Sequence, residues 1–446
     1  MPSHQTPPNL ILLVWHDTGR TFNTYGHATA HTPHTNRLAQ QGAQFQNCFA
    51  TCAICSPSRA SIFTGRTCQD HGVMHLANGP EDNRIRPGAT HLAQHLRDLG
   101  YHTALVGVQH EACPEHVASI QNFHETRAAG PWPAAPRVAD AACDLLNERA
   151  SDTATPFYLQ LGFFEAHRPF DFEGCPSDTS LGLDLPLYLR DTKTHRHDMA
   201  GIQGMLRRGD DAFGRILEQL DRLGLDDHTV VVVTADHGLA MPRAKTQMYD
   251  AGIEVPWIVR YPNVVPAGQH IDPMCSHLDI APTLLELMAL PPLNADAGHS
   301  FAPHLRSEDD RPLRDAHFAH MVEAFRCIRT DTHKLIRNFN PPNAWGPPPI
   351  GDPLPHGVSP EQMLQDPERF PFVELYDLTD DPLESRNLAA DPDHAEFRDR
   401  LDARLLRFLK DQDDFVLGTR PNNAFSAAAV QQANDTLRRL AAPATL

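Results

Sequence analysis

Cys55-Ser56-Pro57-Ser58-Arg59 opens a run that ends at Thr64-Gly65-Arg66. The pattern predicts a loop entering a short helix. Ser56 suits the N-cap, Pro57 the first helical position and Gly65 the position past the end. Cys55 would then stand at a helix N-terminus, where unpaired N–H groups and the helix dipole favour negative charge. Arg59, one turn further on, would lie under the same spot. A sulfur side chain, an anion-favouring helix end and a guanidinium in one small volume suit an oxyanion such as sulfate or phosphate. A rival uses Cys48, Cys52 and Cys55, whose C-x3-C-x2-C spacing can hold three irons of a [4Fe–4S] cluster. Pro57, Arg59 and a capped helix have no part in such a cluster, and Cys48 and Cys52 read better as small buried fillers.

His16-Asp17, His110, His167 and Asp236-His237 each follow an apolar run. A divalent cation needs anionic oxygen or imidazole ligands arriving from separate elements, and Asp17, Asp236 and His237 qualify. The elements that must bring them together are short and apolar. Asn9–Trp15 is a continuous apolar run and predicts a buried parallel strand. His102–Gly107, Phe157–Phe163 and the β-branched Thr229–Thr234 predict three more strands, and Pro256–Tyr261 another. Helices are expected over Pro33–Gln41, Ala89–Leu99, His197–Leu223 and Ile280–Leu290, with Gly42, Gly100 and Gly224 ending the first three. Polar residues at the carboxyl ends of such strands are where open α/β sheets bind ligands.

Alternation of strands and helices predicts an α/β fold: a doubly wound, mostly parallel sheet flanked by helices, occupying residues 1–310. The character then changes. Cys327–Thr330 and Lys334–Arg337 read as a hairpin, Glu374–Leu378 as a strand, and Glu396–Leu409 and Ala427–Leu440 as helices. Asn340–Pro355 is Pro-rich and irregular. Residues 311–446 are therefore expected to form a smaller C-terminal α+β subdomain with an antiparallel sheet and helix.

The net charge of −18 argues against a nucleic-acid or anionic-membrane partner over the general surface. An anionic substrate would need a local basic pocket. Nine cysteines without regular spacing are no disulfide framework, which suits a reducing, cytoplasmic setting. The apolar run Leu10–Trp15 is too short for a signal peptide or a membrane span.

The run from Cys55 to Arg66 resembles the signature of the sulfatase family, Cys-x-Pro-Ser-Arg followed by Thr-Gly-Arg. The resemblance implies that Cys55 is oxidised to formylglycine by a formylglycine-generating enzyme during maturation, and that the hydrated aldehyde is the nucleophile. It extends over nearly the whole chain. Pro8 to Asp17 is similar to the family's first strand, which normally ends in two aspartates that bind calcium; here the first is His16. Thr234-Ala235-Asp236-His237-Gly238 is similar to the second metal segment. The implied metal set is His16, Asp17, Cys55, Asp236 and His237. Calcium is the family ion, and the imidazole at His16 makes manganese the alternative. Gly107-Val108-Gln109-His110 resembles the segment that usually reads Gly-Lys-x-His, so His110 would touch the formylglycine hydroxyl while Val108 replaces a lysine. His167 corresponds to a histidine near the leaving group and Lys245 to the sulfate-binding lysine. With Arg59, these residues form the implied catalytic set. Glu374 to Leu388 is similar to a structural stretch of sulfatase C-terminal domains.

Within the family the nearest likeness is to enzymes that cleave N-sulfate from glucosamine, carried by Cys55–Thr64, Phe157–Pro169 and the closing subdomain. The expected activity is hydrolysis of a small anionic sulfate ester or sulfamate. A phosphodiester or phosphonate monoester hydrolase with the same machinery is the alternative. His16 and Val108 also leave room for a non-catalytic metal-binding relative in which Cys55 stays a thiol. Self-association into a homo-oligomer is left open.

Overall fold

The structure, a computed structural model, describes residues 7–77, 83–113, 121–128, 132–294, 297–322, 324–340, 365, 371–418 and 424–441. The expected irregular segment Asn340–Pro355 lies outside these residues apart from Asn340.

Strand β1, Asn9–Trp15, is fully buried, as its unbroken apolar run requires. It is flanked by β6, Phe157–Gly162, and β7, Thr229–Ala235, and is parallel to both. β4, His102–Gly107, is parallel to β6, and β5, Glu125–Arg127, to β4. Beyond β7 the sheet continues through β8, Trp257–Arg260, which runs antiparallel to it. β2, Ala43–Phe45, and β9, Gln269–Ile271, complete an eight-stranded sheet of order β5-β4-β6-β1-β7-β8-β2-β9. A two-stranded ladder pairs β3, Cys48–Phe49, with β10, Cys275–Ser276.

The two-residue period of β1 divides its side chains between two apolar clusters. Ile11, Leu13 and Trp15 pack with α1 (Pro33–Gln41), α5 (Ala135–Arg149) and the long α6 (Lys193–Arg222). Leu10, Leu12 and Val14 face α2 (Cys55–Thr64), α4 (Leu92–Asp98), α8 (Ile280–Leu287) and α9 (Ala302–Leu305). Two short helices, α3 (Cys68–His71) and α7 (Asp250–Ile253), lie beside these layers in sequence. Helices on both faces and parallel central strands make this the expected doubly wound α/β arrangement.

A four-stranded antiparallel sheet follows: β11 (His317–Met321), β12 (Phe325–Arg329), β13 (His333–Asn338) and β14 (Val373–Asp377). α10 (Ala395–Asp411) and α11 (Ala424–Ala441) pack on one face of it. Its other face meets Phe49, Cys52, Ile54 and Ile253. β11 docks beside the segment that leads into α2: the His320 amide donates to Thr51 O at 3.0 Å, and His317 Nε2 lies 3.0 Å from Ala50 O. Lys334, wholly buried, reaches Asp250 at 2.5 Å and Glu384 at 2.7 Å, which ties α7 to the small sheet.

His71, His317 and His320 are fully buried, and burial above all pushes each imidazole down to about 3. They are neutral when folded, whereas the unfolded chain takes up protons below about 6.5. Their contribution to stability is therefore complete above about pH 6.5. It drains as pH falls from there towards 3, by about 1.4 kcal/mol per pH unit for each histidine. Urea midpoints measured between pH 7 and 4.5 should fall steeply, and His320→Asn should flatten the slope by one such increment.

Candidate active site

Four parallel strands deliver their carboxyl ends to one edge of the sheet. β1 leads to His16-Asp17, β4 to Gln109-His110, β6 to His167 and β7 to Asp236-His237. Asp17 and His110 adopt left-handed backbone, with φ of 54° and 61°. Each such residue costs of order 1–3 kcal/mol unless its surroundings enforce it. Here hydrogen bonds help fix the turns: the Asp17 amide donates to Asp236 Oδ1 at 2.9 Å, and so does the His237 amide.

α2 lies across this edge with all its residues buried. It opens two residues earlier than the capping pattern predicts, with Ile54 as N-cap and Cys55 already inside the helix. Ser56 does not cap it; its Oγ instead accepts from the Ala77 amide at 2.8 Å. Gly65, at φ 64°, ends the helix as expected. Cys55 Sγ lies 3.2 Å from His237 Nε2, 3.8 Å from Asp17 Oδ1 and 3.9 Å from His16 Nδ1. Cys48 and Cys52 are packed in two different apolar clusters, away from these polar partners. That placement gives the iron–sulfur reading no support.

The residues of the implied catalytic and metal sets meet here. Lys245 Nζ is 2.6 Å from Asp17 Oδ2, and His167 Nε2 is 3.8 Å from the same oxygen. Arg59 Nε donates to Asp236 Oδ2 at 3.0 Å, while its NH1 and NH2 reach the carbonyls of Gln109 and Trp15. His16 Nδ1 is 2.8 Å from Asp17 Oδ1 and 3.3 Å from Asp236 Oδ2, and its Nε2 is 3.3 Å from His110 Nδ1. Val108, at the position where a lysine was expected by resemblance, is buried in the larger apolar cluster. The cations near the carboxylates are Lys245 and Arg59.

Burial dominates the titration of these groups and is opposed by specific partners. It would raise the Asp17 carboxyl, yet Lys245 foremost, then His237 and His16, hold it well below the usual range. Asp236 is also held low, by His237, His16 and Arg59 against burial. Burial lowers His237 and brings His16 down to about 4, against the pull of the two carboxylates. The same desolvation pushes the Cys55 thiol well up. Lys245 is raised despite burial, chiefly by Asp17.

His237 Nδ1 lies 2.9 Å from Gly238 O, a group that can only accept, so Nδ1 carries the ring proton. The neutral ring then turns its Nε2 lone pair towards Asp17 Oδ1, 3.2 Å away. Two acceptors facing each other at this distance call for a cation or a proton between them. The donors fit a divalent ion: His16, Asp17, Cys55 and Asp236 offer ligand atoms within 4.8 Å of one another.

Several neighbours carry no readable signal in the sequence. Half-buried Trp132 lies nearly parallel to His167 at 6.1 Å and edge-on to His110 at 4.9 Å. Ser58 Oγ donates to Asp236 O at 2.5 Å and lies 3.0 Å from His277 Nδ1. Trp132 stands in no periodic pattern, and Ser58 reads as an ordinary helix residue.

Comparison with known proteins places this site in context. Residues 8–290 match the family model for sulfatases, and residues 237–347 match the model described as N-sulphoglucosamine sulphohydrolase, C-terminal. The chain is 27% identical over 459 residues to an ulvan-active sulfatase of Formosa agariphila, covering 89% of this chain and 74% of that protein. It is 25% identical over 458 residues to the N-sulphoglucosamine sulphohydrolase of Homo sapiens, covering 91% and 89%. Among solved structures it is similar to a 2-O GAG sulfatase, with TM-score 0.72 and 19% identity over 95% of this chain and 96% of that one. It is also similar to the phosphonate monoester hydrolase of Agrobacterium radiobacter, with TM-score 0.68 and 20% identity over 91% and 96%. At such identities the structural likenesses speak for the fold. The chain belongs to the sulfatase family and is a sulfuric ester hydrolase. Among the described residues no helix is long and apolar enough to cross a membrane.

Proposed function

We propose that this enzyme hydrolyses a sulfate ester or sulfamate borne on a sugar or similar small ring compound, with residue 55 acting as the nucleophile after conversion to formylglycine. The observation that carries the reading is the convergence of Cys55, Arg59 and Lys245 on the buried carboxylates Asp17 and Asp236. Each fixed cation faces one carboxylate, so these side chains together are close to neutral. A bound divalent ion would make the site positive enough for a singly charged sulfate ester, with little excess for a dianion. The relatives named as acting on ulvan and on N-sulphoglucosamine support a sugar substrate. Trp132 offers an apolar wall for a ring beside His167.

Asp17, Asp236, His237 and His16 would hold the metal. Two carboxylates with two imidazoles are a mixed set that suits manganese better than calcium. When bound, the ion supplies Lewis acidity towards the sulfuryl oxygens. The aldehyde hydrate supplies a second hydroxyl, which lets the covalent step be undone by expulsion of sulfate. The remaining work falls to the chain. Arg59 keeps Asp236 ionised and aimed, and Lys245 does the same for Asp17 from the solvent side. His167 Nδ1 sits 2.6 Å from Arg168 O and must carry a proton there. Protonated, its Nε2 is the group placed to donate to a departing oxygen or nitrogen. His110 stands ready to take a proton from the hydroxyl at position 55.

Two measurements test this reading. Intact mass should show residue 55 about 18 Da below cysteine, whereas ordinary thiol oxidation adds mass. Turnover of an aryl sulfate should exceed that of an aryl phosphodiester; the reverse order would assign the site to phosphorus.

A further inference from the structure

The turn after β14, residues 381–386, belongs to the stretch 374–388 that reads from the sequence as architecture alone. Asp381 folds this turn: its carboxylate accepts the amides of Ser385 and Arg386 at 2.7 Å each, and its carbonyl accepts the Glu384 amide at 3.0 Å. Glu384 is held in left-handed backbone, with φ of 54°, and its side chain leaves the small subdomain for the α/β domain, where it is 2% exposed. Its Oε2 accepts the Asp250 amide at 2.6 Å. Its Oε1 lies 2.7 Å from Lys334 Nζ, which is itself 2.5 Å from Asp250 Oδ1. Arg329 adds a second cation, 3.1 Å from Asp250 Oδ2. Two carboxylates thus face two cations, which lets the cluster stay buried.

Asp250 opens α7, and the loop 239–249 before it carries Lys245. The turn grips this loop at a second point: Arg243 Nη2 donates to the carbonyls of Leu383 and Glu384 at 2.8 and 2.6 Å. Arg243 and Thr246, on either side of Lys245, take left-handed backbone, with φ of 63° and 69°. Such conformations persist only where the surroundings enforce them. On the side of the active site, the Lys245 amide donates to Leu239 O at 2.9 Å and the Thr246 amide to Ala53 O at 2.8 Å, just before Cys55. Lysine carries a compact charge on a long flexible stem, so its ammonium has one place only if its backbone has one. Here that place is 2.6 Å from Asp17 Oδ2.

We propose that Glu384 is a positioning residue for the hydrolysis: by clamping the loop 239–249 it fixes where the Lys245 ammonium stands against Asp17 and the sulfuryl group. Glu384 acts through Lys245 and contacts none of the groups that react. The small subdomain thereby sets the geometry of a charge in the active site of the larger one. This rests on the part given to Lys245 under the proposed function.

The test compares Glu384→Ala, Lys245→Met and the double variant, each shown by intact mass to carry the same residue 55. In the otherwise unaltered chain, Glu384→Ala should lower kcat/KM for an aryl sulfate by roughly ten- to a hundredfold, the scale of a small misplacement. In the Lys245→Met background the same change should cost less than about twofold, because no ammonium remains to be placed. Hydrogen exchange read by mass should be at least about tenfold faster over 239–249 in Glu384→Ala, with β1 and β7 unchanged. Glu384→Gln keeps an acceptor for the Asp250 amide, so it should fall between the alanine variant and the unaltered chain. It replaces the alanine variant if circular dichroism shows that one unfolded. Equal losses in the two backgrounds, as a merely structural residue would give, or unchanged exchange over 239–249, overturn the proposal. Those results leave the role of Lys245 standing as long as Lys245→Met is itself impaired. Full turnover by Lys245→Met sinks that role, and this proposal falls with it.

Discussion

Cys55→Ala is expected to lower kcat for sulfate-ester hydrolysis by at least about 10³-fold, since it deletes the proposed nucleophile outright. The fold should survive. Cys55 is 1% exposed and its sulfur makes only weak contacts to His237, Asp17 and His16. Its helix is ended by Gly65 and packed through Ile62 and Phe63, none of which the substitution touches. Urea unfolding should therefore move by about 1 kcal/mol or less. Cys55→Ser gives a sharper readout. A serine hydroxyl can attack sulfur but has no second hydroxyl with which to expel it. The variant should sulfate itself once and stop, leaving a sulfated chain visible by intact mass. Turnover by the alanine variant above a few per cent of the unaltered enzyme would remove Cys55 from the chemistry.

The alignment of these residues is legible in the sequence because the strands that carry them are short, apolar and parallel. Asn9–Trp15 and His102–Gly107 have the bounds their residues suggest. Once four such strands are parallel, their polar carboxyl ends have to share an edge. What is missed has physical reasons. β5, Glu125–Arg127, is an edge strand without an apolar residue, and β2 and β10 are too short to show a period. The helix Ala135–Arg149 escapes the reading although Val138, Ala142, Leu145 and Leu146 follow a helical period. The start of α2 is misplaced because Ser56 has two uses, as a cap or as an acceptor for a distant amide, and the sequence does not show Ala77 arriving. Trp132 joins His110 and His167 only through the tertiary fold, so no local pattern announces it.

Asp236→Asn is expected to produce the second large effect, and it separates metal binding from architecture. Asp236 Oδ1 accepts the amides of Asp17 and His237, and Oδ2 accepts Arg59 Nε. An asparagine can keep the first two bonds through its carbonyl oxygen, but its NH2 group then faces the guanidinium, donor against donor. Arg59 is 1% exposed and has no other carboxylate in hydrogen-bond reach among the described residues. Leaving a buried charge without its partner costs about 3–5 kcal/mol. The urea midpoint should drop accordingly, and part of the loss should return in Arg59→Met/Asp236→Asn, where no unpaired charge remains. Metal content by elemental analysis should fall in Asp236→Asn and stay low in the double variant, because the ligand oxygen is still missing. Recovery of stability without recovery of metal would assign Asp236 both duties. Unchanged metal content in the folded single variant would remove it from the ligand set and leave Asp17, His237 and His16 to hold the ion without it.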